Sequence, residues 1–584
     1  MAEKSTHTKE NPPNANANVS VLAILAGLSI SVYGIIAILS WQFDFDSVST
    51  DRPIIAVLCL FAVTFALYLG AIRIVWRTRK SGPMMKLVIG SAIVFRVVML
   101  FSLPIQEIDI YRYLWDGAVS TAGVSPFRYS PAQVSSAELA SNADEDLLRL
   151  VKLRDDDPAL AEILHRVHFP ELPTIYPPTS QAVFAAANLM TPSSSSVLTR
   201  LFIMKAWFIG LDIATLFVVI GLLRRCKKPV GLCVIYAWCP LLMKEIANSG
   251  HLDAIAVFLT TLGLYLVIRS LGFQPGNPTQ PSSLGFQPGK NNNSTTQAGS
   301  LGYAMLASVV LGLAVGAKLY PVILVPLVFF TVAKNFGWRF TVAPATAFVV
   351  TTAMLLSAMI LNERSASDRE QMHDPSLGVV TFLRRWEMND FLFLIIIENI
   401  KPTAHLGPHE TAWFTVMPES VRETMVTVVS SQFDIAAGEA PFMIARAMTA
   451  AIFFVVAITL AWRASAKDSS SFCEAAFLTI AWFWLLCPTL NPWYWTWALP
   501  LLPFARGRAW LAVSGLVLIY YLRFWLDYHF PTTAVLGTPY TGAAFYDFVV
   551  TWIEFAPWFA MLMWRSPRSL GFQPGTKIAP RLEA

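Results

Sequence analysis

Charged residues and paired cysteines are both scarce in this chain. Only 14% of its 584 residues are charged and 55% are hydrophobic, whereas a soluble domain averages about 25% charged residues. This scarcity excludes an ordinary soluble domain, and a mean hydropathy of +0.53 indicates a polytopic membrane protein. The six cysteines show neither metal-ligand spacing nor paired spacing, so buried free thiols are expected instead of a disulfide framework.

Net charge is small as well. The formal value of +5 is spread over connecting loops, which argues against a nucleic-acid-binding surface and for the orientation of membrane helices. No cleavable signal is evident. Residues 1–18 are polar, and the apolar run that follows, residues 19–40, is long enough to span a bilayer and remain there.

Long apolar runs recur along the chain, many of them close to the roughly 20 residues that a transmembrane helix needs. They predict an all-α, polytopic integral membrane protein of about 11–14 transmembrane helices. Fourteen runs are recognised, at roughly 20–40, 52–72, 83–103, 199–223, 229–244, 252–268, 301–316, 319–333, 340–361, 444–463, 472–487, 494–505, 509–526 and 545–564.

Basic residues flank alternate runs and set the predicted orientation. Under the positive-inside rule these flanks are cytoplasmic. The basic flanks then all fall on the cytoplasmic side if both termini are cytoplasmic and residues 181–190 lie at the outer interface without crossing. Two large outer loops result, at 104–198 and 362–443. The basic flanks are Arg73 to Lys80 with Lys86, Arg224 to Lys228, Lys334 with Arg339, Arg463 with Lys467, and Arg506 with Arg508.

The chain therefore divides into a membrane core and several additions. The predicted parts are a disordered cytoplasmic N-terminus (1–18), two additional N-terminal transmembrane helices (19–82), a core (83–526) containing both outer loops and a cytoplasmic linker (269–300), a last outer segment with its helix (527–564), and a cytoplasmic tail (565–584). The heptamer Ser-Leu-Gly-Phe-Gln-Pro-Gly occurs at 270–276, 283–289 and 569–575. It lacks the period of roughly 20–50 residues of structural repeats, so a functionally neutral insertion is expected.

The most informative polar segment opens the first outer loop. Residues 106–117 read Gln-Glu-Ile-Asp-Ile-Tyr-Arg-Tyr-Leu-Trp-Asp-Gly, just after Pro104 ends a membrane run. Acids at a membrane edge are costly, so their clustering indicates chemistry or the binding of a polar ligand. Acids, a guanidinium and flat rings together suit a sugar, whose hydroxyl groups need acceptors and whose apolar faces stack on aromatic rings.

Two interpretations of Glu107 and Asp109 stay open at this point. The two acids either mark the water boundary of a membrane helix or include a general base. A carboxylate held near apolar rings has its pKa raised toward the working range, which favours the second interpretation. The same two acids, with Asp116, are also side chains of the type that binds a divalent cation, so a metal site is left open and no cofactor is certain.

The segment 107–117, with Gly-Val-Ser-Pro-Phe-Arg-Tyr-Ser-Pro at 123–131, resembles the first outer loop of polyprenyl-phosphate-sugar-dependent glycosyltransferases of the GT-C fold. The nearest groups are a bacterial mannosyltransferase-like family, often labelled a domain of unknown function, and the lipid-linked mannosyltransferases. Four later segments are similar and in the expected order: 174–181, 248–253, 316–321 and 491–494. The likeness covers roughly residues 85–525 and leaves out the first two membrane runs and the heptamers.

This resemblance implies an inverting membrane enzyme of the cell envelope. It would move a sugar, mannose by family likeness, from a polyprenyl-phosphate donor to an extracytoplasmic glycan or glycolipid. The active site would face outward from the plasma or inner membrane, with membrane lipids and no nucleic acid as further partners. In that family an acid of the first outer loop serves as base. Asp109 is the best match, with Glu107 its catalytic neighbour.

Several other residues are substrate-binding candidates, and most have a plain structural alternative. Tyr176 precedes two prolines that halt the chain, His251 and Asp253 would cap a helix, and Lys318 would either reach the lipid headgroups or bind the donor phosphate. The full set is Arg112, Tyr113, Trp115, Asp116, Arg128, Tyr176, His251, Asp253, Lys318, Trp493 and Tyr494, the last two forming either an interfacial aromatic belt or a cavity wall.

A transporter or lipid-linked-sugar flippase is the alternative function. Such proteins show internal repeats and helices broken at the membrane midplane. The two halves of this chain show no similarity, and its acids concentrate outside the apolar runs. Inside the fourth run, Lys205 and Asp212 lie seven residues apart on one helical face and are expected to neutralise each other.

Overall fold

The computed structural model describes residues 15–78, 82–137, 144–272, 292–360, 387–403, 412–464 and 468–563. These parts of the chain are helical, and their one extended pairing is an isolated bridge between Met388 and Thr489. Helices satisfy backbone hydrogen bonds internally, as a chain in lipid must. The prediction of an all-α polytopic membrane protein is confirmed.

Single turns aside, the helices are numbered here in chain order: α1 (Ala15–Ser40), α2 (Ile54–Arg77), α3 (Gly82–Leu100), α4 (Ile110–Thr121), α5 (Pro131–Ser136), α6 (Glu145–Asp156), α7 (Pro158–His165), α8 (Pro178–Leu189), α9 (Val197–Arg225), α10 (Asp253–Ser270), α11 (Asn292–Val315), α12 (Val325–Phe336), α13 (Trp338–Ile360), α14 (Leu392–Glu398), α15 (Glu419–Phe433), α16 (Ala440–Arg463), α17 (Ser469–Leu486), α18 (Ala509–Leu516), α19 (Leu522–His529) and α20 (Thr551–Met563).

Nine helical stretches among the described residues are long and apolar enough to cross a membrane. The number rises to ten if the bent pair Val230–Ala237 and Pro240–Asn248 makes one span. Two shorter apolar helices, Gly299–Val315 and Tyr320–Phe336, stand beside them. By length and composition alone the count is therefore lower than the eleven to fourteen expected from apolar runs.

Proline accounts for much of this difference, because it lacks the amide that continues a helix. The predicted span at 494–505 is a short turn, Pro492–Trp495, followed by a 3₁₀ turn, Leu499–Phe504. The bent pair turns by 45° at Pro240 and continues as a π-helical stretch, Met243–Asn248. Broken backbone inside a membrane is tolerated where protein covers it, and both segments are buried.

Helices α4 to α8 form one folded unit between α3 and α9, here called the first loop. Within it α4 packs against α8 so closely that a Cβ added at Gly117 would lie 2.6 Å from the carbonyl oxygen of Phe184. Helix α8 has 12 residues, too few to span, which agrees with the expectation that residues 181–190 do not cross. Because α9 has 29 residues, its basic end at Arg225 lies roughly 40 Å from the first loop.

The two additional N-terminal helices brace this loop. Helix α1 packs against both α2 and α3. Its last residue, Ser40, accepts a hydrogen bond from the amide of Leu103 at 2.9 Å. Arg52, just before α2, donates to Oε1 of Gln106 at 3.3 Å. The loop that begins at residue 101 is thus attached to a part of the chain outside the family resemblance.

The predicted Lys205–Asp212 pair is wrong. Asp212 instead accepts from Nε of Arg96 on α3 at 2.5 Å. Lys205 donates to the carbonyl oxygens of Met99 and Ser102 at 3.0 and 2.6 Å. Each of the two buried charges is therefore paired with a group at the end of α3. Neither needs the other as a partner.

Some predicted features lie outside the described residues. They are most of the N-terminal segment (1–14), Arg79, Lys80 and Lys467 of the basic flanks, most of the linker and its heptamers, the tail, and residues 361–386 and 404–411 of the second outer loop.

Candidate functional site

Asp109 stands at the head of α4. The chain reverses at Gln106, whose φ is +67°, and then the carbonyl oxygen of Asp109 accepts the amides of Arg112 and Tyr113 at 2.9 and 3.3 Å, which starts the helix. The side chain is half-buried. Its Oδ2 accepts a hydrogen bond from the hydroxyl of Tyr176 at 3.2 Å. The acid predicted from the first motif thus meets the tyrosine predicted from the proline motif.

Two tyrosines line this position. The ring of Tyr113 lies 5.0 Å from that of Tyr176, edge to face, and stacks on Phe184 at 4.8 Å. Burial raises the pKa of Tyr113 and of Tyr176 well above the ordinary value, and the negative charge of Asp109 raises both further. Both hydroxyl groups therefore stay protonated at neutral pH, so Tyr176 acts as a donor to the carboxylate.

Asp253 and Lys318 form an ion pair beside an aromatic wall. Nζ of Lys318 lies 2.7 and 2.8 Å from the two carboxylate oxygens of Asp253, and Nε1 of Trp497 also donates to that carboxylate. The lysine sits 4.5 Å above the ring of Tyr494 and 5.3 Å from that of Trp497. An ammonium has three donors. Two are taken, so one remains available on a side chain that is 20% exposed.

Three alternatives considered for these residues are therefore wrong. Helix α10 begins at Asp253 without a side-chain cap, so Asp253 is an ion-pair partner and not a helix cap. Lys318 is held by protein and does not reach for headgroups. Trp493 and Tyr494 are each only 8% exposed, whereas an interfacial belt faces lipid.

Asp109 and the Asp253–Lys318 pair border the same region. The amide of Thr179 donates to the carbonyl oxygen of Gly316 at 2.8 Å, and the hydroxyl of Ser180 donates to the carbonyl oxygen of Ala317 at 2.8 Å, so the segment after Tyr176 contacts the turn before Lys318. Tyr494 lies 4.5 Å from Nζ of Lys318, and the ring of Tyr113 lies 5.0 Å from that of Tyr176. We call this set the Asp109 site: Asp109, Tyr113, Tyr176, Asp253, Lys318, Tyr494 and Trp497.

Glu107 lies next to this site in a more enclosed setting. Its Oε1 is buried and receives no hydrogen bond from the described residues. Burial, assisted by the negative charge of Asp109, raises the pKa of Glu107 to about 8, and the nearby Lys244 limits this rise. Glu107 is therefore mostly protonated at neutral pH, while the neighbouring Lys244 donates to Oγ of Ser249 at 2.7 Å.

His251 contacts an aromatic ring and a carboxylate near Glu107 and Lys244. Its ring stacks on Trp493, with centroids 4.4 Å apart and planes 18° apart. Its Nε2 lies 3.4 Å from a carboxylate oxygen of Glu245, which is within ion-pair range but outside hydrogen-bonding geometry. Glu245 is anchored by the hydroxyl of Tyr521 at 2.9 Å. The contact with His251 is thus mainly aromatic.

Motif reasoning missed Lys244, Glu245 and Tyr521. A signal for the first two was available, because a charged pair directly follows the apolar run at 229–243, and charges at membrane depth usually mark a function. Tyr521 had no such signal, since it lies inside an apolar run and reaches Glu245 only through the tertiary fold.

Arg112 and Asp116 serve the framework of the first loop. Nε of Arg112 lies 3.4 Å from Oδ1 of Asp116, and the guanidinium also donates to the carbonyl oxygen of Leu172. Asp116 accepts from Gln181 on α8 at 3.1 Å. Burial raises the pKa of Asp116, and the contacts with Arg112 and Gln181 partly offset this rise. These bonds hold α4 against α8 and against the segment before α8 that carries Tyr176.

Two further candidates lie apart from the Asp109 site in the contacts that the structure describes. Arg128 pairs with Asp144 at 2.5 Å and with Asp146, on the surface of the first loop. Trp115 is 2% exposed and belongs to the hydrophobic core. Neither is brought into contact with Asp109 or Lys318.

The metal site left open by the sequence is not formed by its three acids. Asp116 is bound by Arg112 and Gln181. Among the described residues, no group of three or more His, Cys, Asp or Glu side chains is placed to hold a metal ion. The six cysteines all lie in described parts of the chain and are free thiols.

No protein-family model, curated protein or solved structure matches this chain. Function must therefore be argued from the Asp109 site. It combines a half-buried carboxylate, a cation with one open donor, and stacked aromatic rings, a set that can accept a proton, bind an anion and hold a sugar face.

Proposed function

We propose that this chain is an integral membrane glycosyltransferase. It moves a sugar, with mannose suggested by the resemblance, from a polyprenyl-phosphate donor to an extracytoplasmic glycan or glycolipid acceptor, with inversion. The observation that carries the proposal is that an acid, Asp109, and a cation, Lys318, border the same region lined by Tyr113 and Tyr494. A transfer of this kind needs a base at one side of the sugar and an anion site at the other.

In the proposed reaction Asp109 takes the proton of the acceptor hydroxyl. The acceptor oxygen forms a bond to the anomeric carbon from the face opposite the lipid phosphate. The bond between that carbon and the phosphate oxygen breaks, and the phosphate leaves with the electron pair. Lys318 binds the departing anion with its free donor, since Asp253 occupies the other two.

Tyr176 and Glu107 support the base. The hydroxyl of Tyr176 holds the Asp109 carboxylate in one orientation. Glu107 is protonated at neutral pH and so spares Asp109 a second negative charge beside it. In this proposal Glu107 is a neutral neighbour that can donate a hydrogen bond to a sugar oxygen, and Asp109 alone accepts the proton.

Incubation of membranes containing the full chain with radiolabelled polyprenyl-phosphate mannose would test the activity. Label should move from the lipid to a more polar product, and membranes without the protein should show no such product. Retention of all label on the lipid, with mannose and with other hexoses as donor, would contradict the proposal.

The proposal places the first loop on the outer face of the plasma or inner membrane. Single cysteines at Ser136 and Lys227, both exposed, test this in a chain whose native cysteines are replaced. An impermeant maleimide applied to intact cells should label the cysteine at 136 and spare that at 227. The reverse pattern would put the site on the cytoplasmic side.

A transporter or flippase of lipid-linked sugars is the second candidate. The broken pair Val230–Ala237 and Pro240–Asn248 favours it, because discontinuous helices with buried charges are frequent at transport sites. Reconstituted vesicles distinguish the two functions. Transport would carry the labelled lipid intact across the bilayer without an acceptor, whereas transfer would cleave it.

A further inference from the structure

A polar cavity lies outside the Asp109 site. It has a volume of about 200 Å³ and opens between the segment at 387–401, Arg523 on α19, and Asp547 with Phe548. Four carboxylates and two cations line it, namely Glu387, Asp390, Glu398, Asp547, Lys401 and Arg523. The proposed reaction assigns no role to any of them.

The charges of this cavity are only partly paired within it. Lys401 binds Glu398 at 2.6 Å, and Arg523 lies 3.3 Å from Asp547. Asp390 is 5% exposed, yet no described residue donates a hydrogen bond to its Oδ2. A buried carboxylate oxygen without a donor is unfavourable. Burial and the charge of Glu387 accordingly raise the pKa of Asp390. The cavity thus presents a buried carboxyl group with one oxygen open to a hydrogen bond from a ligand.

This cavity adjoins the wall of the Asp109 site. The backbone of Met388, which lines the cavity, bonds to Pro488 and Leu490 at 3.0 Å each, just before the segment that carries Trp493. The hydroxyl of Tyr520 lies 2.9 Å from the sulfur of Met388, and its ring lies 6.3 Å from that of Trp493. Tyr520 therefore connects the cavity to Trp493, whose ring lies 5.9 Å from that of Tyr494 in the Asp109 site.

Size and chemistry together indicate the occupant. Pockets for drug-sized ligands measure roughly 300–1,000 Å³, so this cavity suits a single ring. Carboxylates accept from hydroxyl groups, Lys401 and Arg523 donate to ring and hydroxyl oxygens, and Phe548 with Leu394 offers an apolar surface. A sugar ring, with hydroxyl groups on its rim and an apolar face, matches all three features.

We propose that this cavity binds one sugar ring of the acceptor, with Asp390 accepting a hydrogen bond from one of its hydroxyl groups. The proposal rests on the function proposed above, since it assigns the second substrate of that reaction. The acceptor would then extend past Tyr520 toward Asp109, with its terminal ring held by the 387–401 segment.

Binding is tested first without any transfer. Met388→Cys is made in the full chain with its six native cysteines replaced, in membrane vesicles, and its labelling by a methanethiosulfonate reagent is timed. Methyl mannoside should slow labelling several-fold, and Asp390→Asn should abolish that protection. Glu554→Gln is the matched control, because Glu554 is buried and fully bonded to Tyr546 and Asn389 without lining the cavity. It should leave protection intact.

Transfer kinetics form the second arm, with an octyl mannobioside as the acceptor, because its two rings can reach the cavity and Asp109 together. Asp390→Asn should raise KM for this acceptor about tenfold and leave KM for the lipid donor unchanged. Protection by methyl mannoside without any transfer by the unmodified chain would refute the proposed function but keep the cavity as a sugar site. Transfer without protection, or protection by methylammonium alone, would overturn the cavity proposal and leave the proposed function standing.

Discussion

Asp109→Asn is the substitution that tests the proposed chemistry most directly. The asparagine amide has the size of the carboxyl group but cannot take a proton. Its Oδ1 can still accept the hydroxyl of Tyr176, which bonds to Oδ2 of Asp109 at 3.2 Å. The ground-state arrangement of the first loop should therefore survive, and the change should fall on the reaction.

The expected effects of this substitution on folding stability and on rate differ in size. Replacing a hydrogen bond to a charged acceptor with one to a neutral acceptor costs about 1 kcal/mol of folding stability. Loss of a general base lowers the rate by about 10²–10⁴-fold, which corresponds to roughly 3–5 kcal/mol in the activation barrier. A rate loss that large cannot come from the weakened contact with Tyr176.

The assay is label transfer from polyprenyl-phosphate mannose, normalised to folded protein measured by fluorescence-detected gel filtration. Asp144→Asn is the matched control, an acid of the same loop whose side chain is 40% exposed and pairs with Arg128 on the surface. It should transfer sugar at nearly the unmodified rate. If Asp109→Asn does so too, or if its rate loss merely follows a loss of folded protein, Asp109 is not the base.

Three other expectations follow from the same region. Lys318→Ala should raise KM for the lipid donor about ten- to a hundredfold. It also leaves the buried Asp253 without its cation, so adding Asp253→Asn should restore folding but not donor affinity. Normal donor kinetics in the double variant would show that Lys318 does not bind the phosphate. Because the pKa of Glu107 is raised to about 8, its contribution to stability is complete below its ordinary value of 4.5 and is lost as pH rises through about 8. Thermal stability should fall as pH rises from about 4.5 to about 8 and level off above that, whereas the rate should fall near pH 8. Glu107→Gln should flatten both profiles, and unchanged profiles in that variant would contradict this. Gly117→Ala should destabilise the protein by about 1–3 kcal/mol, because the added methyl group meets backbone of α8, whereas Gly210→Ala, with nothing within 4 Å, should be neutral in thermal unfolding.

Local sequence was sufficient to predict the helical membrane fold and the position of Asp109. Both depend on short-range patterns: apolar runs of spanning length, and acids that follow Pro104 at the end of one of them. The contact of Asp109 with Tyr176 was not predicted, because the sequence placed the two residues only in the same outer loop.

Tertiary partners could not be predicted in the same way. Asp253 binds Lys318, 65 residues away, and Trp497, 244 residues away, and no periodicity connects such positions. Asp212 binds Arg96 on another helix and not the Lys205 suggested by spacing, because α3 packs against α9 and brings Arg96 within reach. The helix breaks at Pro240 and Pro492 were not predicted either. An apolar run has the same composition whether it crosses the membrane as one helix or bends inside the protein.

The contacts of α1 and α2 with the first loop affect whether the chain can be shortened at its N-terminal end. Two helices outside the resemblance would be expected to be dispensable for the rest of the chain. Here Ser40 and Arg52 hold the start of the first loop, and Arg166 within it lies 3.7 Å from Asp44, between the two helices. A shortened chain lacking α1 and α2 would leave the segment before Asp109 without these contacts. The two helices are part of the scaffold of the site, so minimal versions for engineering or crystallisation should retain them.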